Sequence, residues 1–241
     1  MPTIAIIQAR MGSQRLPGKV MLSVGGKSML AQVVERVRRS LHVDQTVVAA
    51  SNLPEDEPIW KWCTENDVPF VKGDANDVLS RYEMAARTFG AHHIVRVTSD
   101  CPLIDPQVID ATIEVLTENE HLDYACNFYP VRTFPRGLDT EVFTRACLDR
   151  LVLEADQSEY REHVTLMVYR NSNRFKIGSH MAGTSYADLR WTVDTAKDIG
   201  LIRDIFNCFP DNKFHWRDVI RAYLQHPEWR SVNQNVSQKV A

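Results

Sequence analysis

Three short runs constrain the fold most: TIAIIQ at Thr3–Gln8, TVVAA at residues 46–50 and HIVRVT at His93–Thr98. Each is mostly apolar and β-branched on consecutive positions, as expected of strands covered on both faces in a parallel sheet. The stretches between them have helical periodicity. Ser28 reads as the N-cap of a helix to about Arg39, with Met29, Leu30, Val33, Val34 and Val37 on one face. Residues 54–66 and 78–89 supply two more helices, with a short strand, VPFVKG, between them. This β-α-β-α-β-α-β order predicts an α/β fold, an open sheet with right-handed crossovers.

After Asp100 the rhythm changes. Residues 106–119 read as a helix with proline in its first turn. Residues 120–188 mix turn-rich sequence with helices at about 143–155 and 158–170, and are expected to form an inserted lid or dimer contact rather than more sheet. Helices resume at 196–206 and 215–224. The expectation is one domain over 1–228 and a polar tail, 229–241, that frays. A chain of 241 residues buries roughly 70–75% of its unfolded surface, enough for one large core.

The net charge of −3 disfavours a sequence-independent nucleic-acid binder. Five cysteines without a C-x-x-C pair argue against a disulfide framework and a zinc site. No apolar stretch approaches the ~18 residues of a membrane span, and no basic region precedes the first apolar run. The chain therefore reads as soluble and cytoplasmic.

The near-neutral total hides a local excess: the first forty residues set seven cations against Glu35, a net charge of +6. Arg36, Arg38 and Arg39 read as the solvated face of the first helix. Arg10, Arg15 and Lys19 lie instead in ARMGSQRLPGKV, a loop leaving the carboxyl end of the first strand, where open α/β sheets bind ligands. With Gly12, Ser13 and Gly18 this loop suits a polyanion, because backbone N–H groups and forked guanidinium donors converge there. GGKS at residues 25–28 is no P-loop, since Met21 stands where its first glycine belongs, and no G-x-G-x-x-G follows the first strand.

Carboxylates face this excess. The third run leads into Ser99-Asp100-Cys101-Pro102, so Asp100 sits at the carboxyl edge of the sheet, where it can hold a divalent cation. Asp105 reads as an N-cap beside Pro106. LRWTV at 189–193 reads as a further strand ending at Asp194, by spacing an N-cap. Should that strand lie beside the Asp100 strand, the two carboxylates flank one magnesium ion. His163 is either an acceptor-site base or a hydrogen-bonded structural residue. His92 and His93 are expected at the surface with diverging rings. The aromatics of NFYPVRTFP suit a stacking platform, a lid or a subunit contact.

Six ordered blocks then resemble one family: IIQARMGSQRLPGKVM, DVLSRY, RVTSDCPLIDP, PRGLDTEVF, REHVT and RWTVDTAKDIGLI. They are similar to the acylneuraminate and deoxy-octulosonate cytidylyltransferases, specifically the SpsF-like spore-coat polysaccharide branch. The resemblance implies a nucleotide-diphospho-sugar transferase fold, GT-A-like and Rossmann-like, with three layers. It implies transfer of CMP from CTP to a sugar acid or related acidic acceptor with Mg²⁺, no nucleic-acid partner, no membrane insertion, and a homodimer. By similarity, Arg10, Arg15, Lys19 and Asp100 are catalytic, and Asp100 and Asp194 ligate the metal. Gln8, Ala9, Arg10, Gly12, Ser13, Arg15, Lys19, Ser51, Lys72, Asp77, Ser80, Arg81 and Thr98 would contact the nucleotide. Arg136, Asp139, Glu141, Arg161, Glu162 and His163 would line the acceptor side. Two positions depart: Ser99 replaces the family's common glycine, and Lys72 replaces arginine, losing forked hydrogen bonding. A nucleotide-sugar-dependent glycosyltransferase of similar fold and a catalytically silent nucleotide-binding scaffold are the alternatives.

Overall fold

The computed structural model describes residues 1–237. The strands are β1 (Thr3–Gln8), β2 (Ser23–Val24), β3 (Lys27–Ser28), β4 (Gln45–Ser51), β5 (Phe70–Gly73), β6 (His93–Thr98), β7 (Tyr124–Cys126), β8 (Glu141–Thr144) and β9 (Ile177–Ser179). The helices are α1 (Met29–Val37), α2 (Glu57–Glu65), α3 (Val78–Thr88), α4 (Pro106–Thr117), α5 (Arg145–Glu154), α6 (Ser158–Glu162), α7 (Leu166–Arg170), α8 (Ala196–Asn207), α9 (Trp216–Gln225) and α10 (Trp229–Val232).

Seven strands form one sheet in the order β5-β4-β1-β6-β8-β7-β9. β5, β4, β1 and β6 run parallel, as the apolar runs predict. β8 pairs antiparallel to β6, and β7 antiparallel to β8. Alternate residues feed two cores. Ala5, Ile7, Val48, Ala50, Val95 and Val97 pack with α1, α2, α4, α8 and α9, whereas Ile4, Ile6, Val47, Ala49 and Ile94 pack with α3, α5 and α7. The result is three layers, each buried Ile or Val contributing about 1.5–3 kcal/mol. Among the described residues, no helix is long and apolar enough to cross a membrane.

Several expectations are corrected. Residues 120–188 build the second half of the sheet through β7, β8 and β9; these strands are only three or four residues long and carry no sustained alternation. The helix expected over 158–170 breaks at Val164, whose φ of 50° turns the chain so that buried Thr165 donates to buried Glu141. Residues 189–193 are not a strand of the main sheet. They run past its carboxyl edge on a single bridge, Arg136 to Arg190, with the Val193 amide donating to the Asp100 carbonyl at 2.8 Å.

Arg36 is no solvated residue. It is fully buried, donating to the carbonyls of Ile104 (2.6 Å), Asn212 (3.1 Å) and Phe214 (3.0 Å), over the Phe214 ring. Burial, partly offset by Asp105, pushes its guanidinium down to about 10. Arg38 and Arg39 donate to the backbone carbonyls of Asp67 and Lys213, respectively. His92 and His93 meet edge to face at 4.7 Å rather than diverging. The segment from 229, expected to fray, forms α10 and buries Trp229 and Asn233; residues 238–241 lie outside the described residues.

Candidate active site

The basic loop is held by its own backbone. Ala9 N–H donates to the Ala49 carbonyl, and the Ser13 and Gly18 amides both donate to the Met11 carbonyl (2.7 and 3.0 Å). Asp56, fully buried, accepts from the Met11 amide (2.6 Å) and from the Ser51 amide and hydroxyl (2.9 and 2.6 Å). Sequence reasoning missed Asp56; its signal was an acid just after Pro54 beside a strand end.

Gly18, at φ 67°, leads into a 3-10 turn over Lys19–Met21. Lys19 thereby points inward, and its Nζ donates to Asp100 (2.8 Å), Asp194 (2.9 Å) and the Val193 carbonyl (2.6 Å). Burial alone would lower this ammonium; Asp100 and Asp194 outweigh it and hold it above its ordinary value. Arg15 reaches the other oxygen of Asp194 at 2.9 Å, and Arg190 joins it there at 2.7 Å. Burial would raise the Asp194 carboxyl, but Lys19, Arg190 and Arg15 keep it below the usual carboxylate range. The N-cap role that spacing offered Asp194 belongs to Thr195, in a capping box with Asp198. Asp194 is therefore available to the site. The N-cap assigned to Asp105 holds, and that carboxylate also accepts from the Trp216 amide at 2.7 Å.

Asp100 and Asp194 thus share one cation, the Lys19 ammonium, between carboxylates from separate segments. Among the described residues no group of three or more His, Cys, Asp or Glu is arranged to enclose a metal. As hard oxygen donors, Asp100 and Asp194 would suit Mg²⁺ that takes its remaining ligands from outside the chain.

The other expected residues fall into smaller sets. Arg10 stands apart from Lys19 and faces Glu162 at 3.7 Å, both largely exposed, a pair of little energetic weight. Asp77 caps α3 through the Ser80 amide and accepts Arg161 Nε and Nη2 at 2.8 and 2.6 Å. Lys72 lies over the Trp60 ring at 4.0 Å, and Trp60 donates to the Ser51 carbonyl at 3.1 Å. Arg81 is buried, its Nη1 3.4 Å from the Ala49 carbonyl and its Nε without a hydrogen-bond partner among the described residues. Gln8 accepts from Tyr82 and Arg96 (3.3 and 3.2 Å), and the Thr98 hydroxyl meets Cys101 Sγ at 3.2 Å, so both are engaged within the protein. Gly12 is exposed at the loop rim.

On the acceptor side, Glu141 is not on an open wall. It is buried, pairing with Arg96 and accepting from Tyr124 (2.8 Å) and Thr165. Asp139 pairs with Arg132, and Arg136 is kept below its ordinary value by burial and by Arg132. Burial also lowers His163, against the opposing pull of Glu162. Arg190, Asp198, Arg96 and Asn233 escaped sequence reading; the four-residue spacing of Arg190, Asp194 and Asp198 was the available signal.

A family model described as Cytidylyltransferase matches residues 4–211. An uncharacterized protein of Methanocaldococcus jannaschii is 34% identical over 99% of this chain and 97% of its own. The spore coat polysaccharide biosynthesis protein SpsF of Bacillus subtilis is 30% identical over 83% of this chain and 85% of its own. A solved cytidylyltransferase structure from Leptospira borgpetersenii superposes with a TM-score of 0.92 at 32% identity, covering both chains fully.

Proposed function

Since the chain belongs to the cytidylyltransferase family, we propose that it transfers CMP from CTP to a sugar acid or related acidic acceptor. The pathway is surface polysaccharide synthesis, and the setting the cytoplasm. The observation that carries this reading is the convergence of Lys19, Arg15 and Arg190 on Asp194, with Asp100 sharing Lys19.

An acceptor oxygen attacks the α-phosphorus in line; the new O–P bond forms as the bond to pyrophosphate breaks. Arg15 and Lys19 exchange their carboxylate partners for phosphate oxygens and offset charge developing on the leaving group. Asp100 and Asp194, so released, would hold Mg²⁺, which supplies charge neutralisation at the phosphates. Arg161, which pairs with Asp77, and Arg136 would bind the acceptor carboxylate in this reading. His163, lowered from its ordinary value by burial, would accept the acceptor proton. Exposed Val131 and Met181 sit on the 120–188 segment, the face we assign to a homodimer; light scattering tests that assignment.

The test is a pyrophosphate-release screen crossing four nucleoside triphosphates with sugar acids and phosphorylated small acids. CTP should release pyrophosphate with at least one acid and Mg²⁺. Release of a nucleoside diphosphate from nucleotide-sugars instead would overturn the reading, as would CTP binding without turnover across the panel.

A further inference from the structure

The polar tail after Pro227 has no motif, yet it reaches the site from behind. Trp229 is buried against Tyr223 (ring centroids 5.3 Å) and stacks on His226 at 4.4 Å. This seats Asn233, which is 4% exposed. Both hydrogens of its side-chain amide are used: Nδ2 donates to the Arg190 carbonyl at 3.0 Å and to Asp198 Oδ1 at 2.9 Å. That same oxygen accepts Arg190 Nε at 3.0 Å. The second oxygen of Asp198 accepts the amides of Asp194 and Thr195 (3.0 and 2.8 Å) and the Thr195 hydroxyl (2.9 Å). Arg190 in turn donates Nη2 to the Asp194 carboxylate at 2.7 Å. Asp198 therefore sets the Asp194 backbone, Arg190 sets its side chain, and Asn233 ties those two together. Four residues on, the Ser237 carbonyl accepts Arg15 Nη1 at 3.1 Å, so the tail touches the front of the site as well.

We propose that Asn233 is a positioning residue for the cation and triphosphate site: its amide locks the Arg190–Asp198 pair so that the Asp194 carboxylate stays aimed at Asp100 and Lys19. The inference rests on the nucleotidyl-transfer reading, which gives Asp194 its task. Removing the amide leaves a buried carboxylate oxygen and the Arg190 carbonyl each one donor short and cuts the link between the Asp198 carboxylate and the backbone at residue 190, and outer partners of this kind are worth about 10–100-fold in metal affinity. Aspartate at 233 is worse than alanine, because a second buried carboxylate would face Asp198.

Full-length wild type, Asn233→Ala and Asn233→Asp are compared by Mn²⁺ electron paramagnetic resonance with a CTP analogue bearing an α,β-methylene bridge, and by steady-state kinetics. Binding of Mn²⁺ should weaken about 10–100-fold in Asn233→Ala and more in Asn233→Asp. KM for Mg·CTP should rise while KM for the acceptor stays at the wild-type value, a split that simple destabilisation does not produce. If Asn233→Ala fails to fold, Asn233→Ser, which keeps one donor, should bind Mn²⁺ with intermediate affinity. Wild-type Mn²⁺ affinity in a folded Ala or Ser variant overturns the proposal alone. Wild-type protein that binds neither Mn²⁺ nor the analogue overturns the nucleotidyl-transfer reading, and this proposal with it.

Discussion

The Nζ of Lys19 lies 2.8 Å from Oδ2 of Asp100, joining the first loop to a carboxylate 81 residues further along the chain. Asp100→Asn keeps the shape and removes the charge. Pyrophosphate release from CTP should fall by about 10²–10³, the loss expected for one preorganised electrostatic group. Circular dichroism should show an unchanged fold, and wild-type turnover in a folded variant would sink the role.

Lys19→Met leaves Asp100 and Asp194 facing each other without the ammonium between them. Asp194 keeps Arg15 and Arg190, whereas Asp100 loses its ion pair, which should cost about 3 kcal/mol, or roughly 6–12 °C in melting temperature for a chain of this size. Millimolar Mg²⁺ should restore part of that loss while hardly moving wild type, whose carboxylates already hold a cation. Thermal denaturation with and without MgCl₂ decides it; equal shifts in the two proteins would count against the shared position.

Gly137 has φ 109°, and a Cβ there would lie 2.6 Å from the Thr192 amide nitrogen and the Trp191 carbonyl carbon. These are backbone atoms of the segment that delivers Asp194. Gly137→Ala should therefore push that segment away and lower kcat, by up to about a hundredfold if the shift nears 1 Å. A crystal structure of the variant with unmoved residues 190–194 would refute this.

The Arg36 guanidinium bonds to Ile104, Asn212 and Phe214 and pairs with Asp105 rather than with Asp100 or Asp194, so its loss should leave the chemistry alone. Arg36→Met strands several buried carbonyls and Asp105, an expected cost of about 3–5 kcal/mol. Urea unfolding should show the loss, while kcat/KM for CTP, measured well below the melting point, stays near the wild-type value.

His93, His163 and His180 are each lowered by burial, with help from His92, Arg96 and Arg217 respectively. A histidine depressed in the folded state binds its proton more readily when unfolded. Its stabilising contribution is present above the unfolded value near 6.5 and is lost as pH falls through the folded value. Melting temperature should drop as pH falls from 7 to 5, and replacing all three histidines with asparagine should flatten that slope. An unchanged slope would remove these groups as its source.

The parallel half of the fold was legible because β1, β4 and β6 are long and apolar on both faces. β7, β8 and β9 were not, since their residues 124–126, 141–144 and 177–179 acquire strand geometry only from neighbours distant in sequence. At the site, Arg15, Lys19 and Asp100 could be read from their place after strands. Asp194 could be paired with Asp100 only conditionally, because the contact depends on a chain crossing near Gly137. Arg36 misled because charge on an amphipathic helix ordinarily faces water, and its carbonyl partners lie beyond residue 100. Asn233 was invisible: nothing in a polar tail announces that its side chain will be buried against Arg190 and Asp198.

β6 carries a consequence for engineering. It ends the parallel run β5-β4-β1-β6 and is also the partner of antiparallel β8, so on the proposed function the loops assigned to the nucleotide and the segments assigned to the acceptor would meet along one seam. A graft bounded by that seam, exchanging residues 127–135 and 155–176 while retaining Arg136, Gly137, β7, β8 and β9, should keep the strand ladder and the Arg136–Arg190 bridge that carries the Asp194 segment. If the proposed division of the site holds, such chimeras should change acceptor preference while leaving the affinity for CTP unchanged.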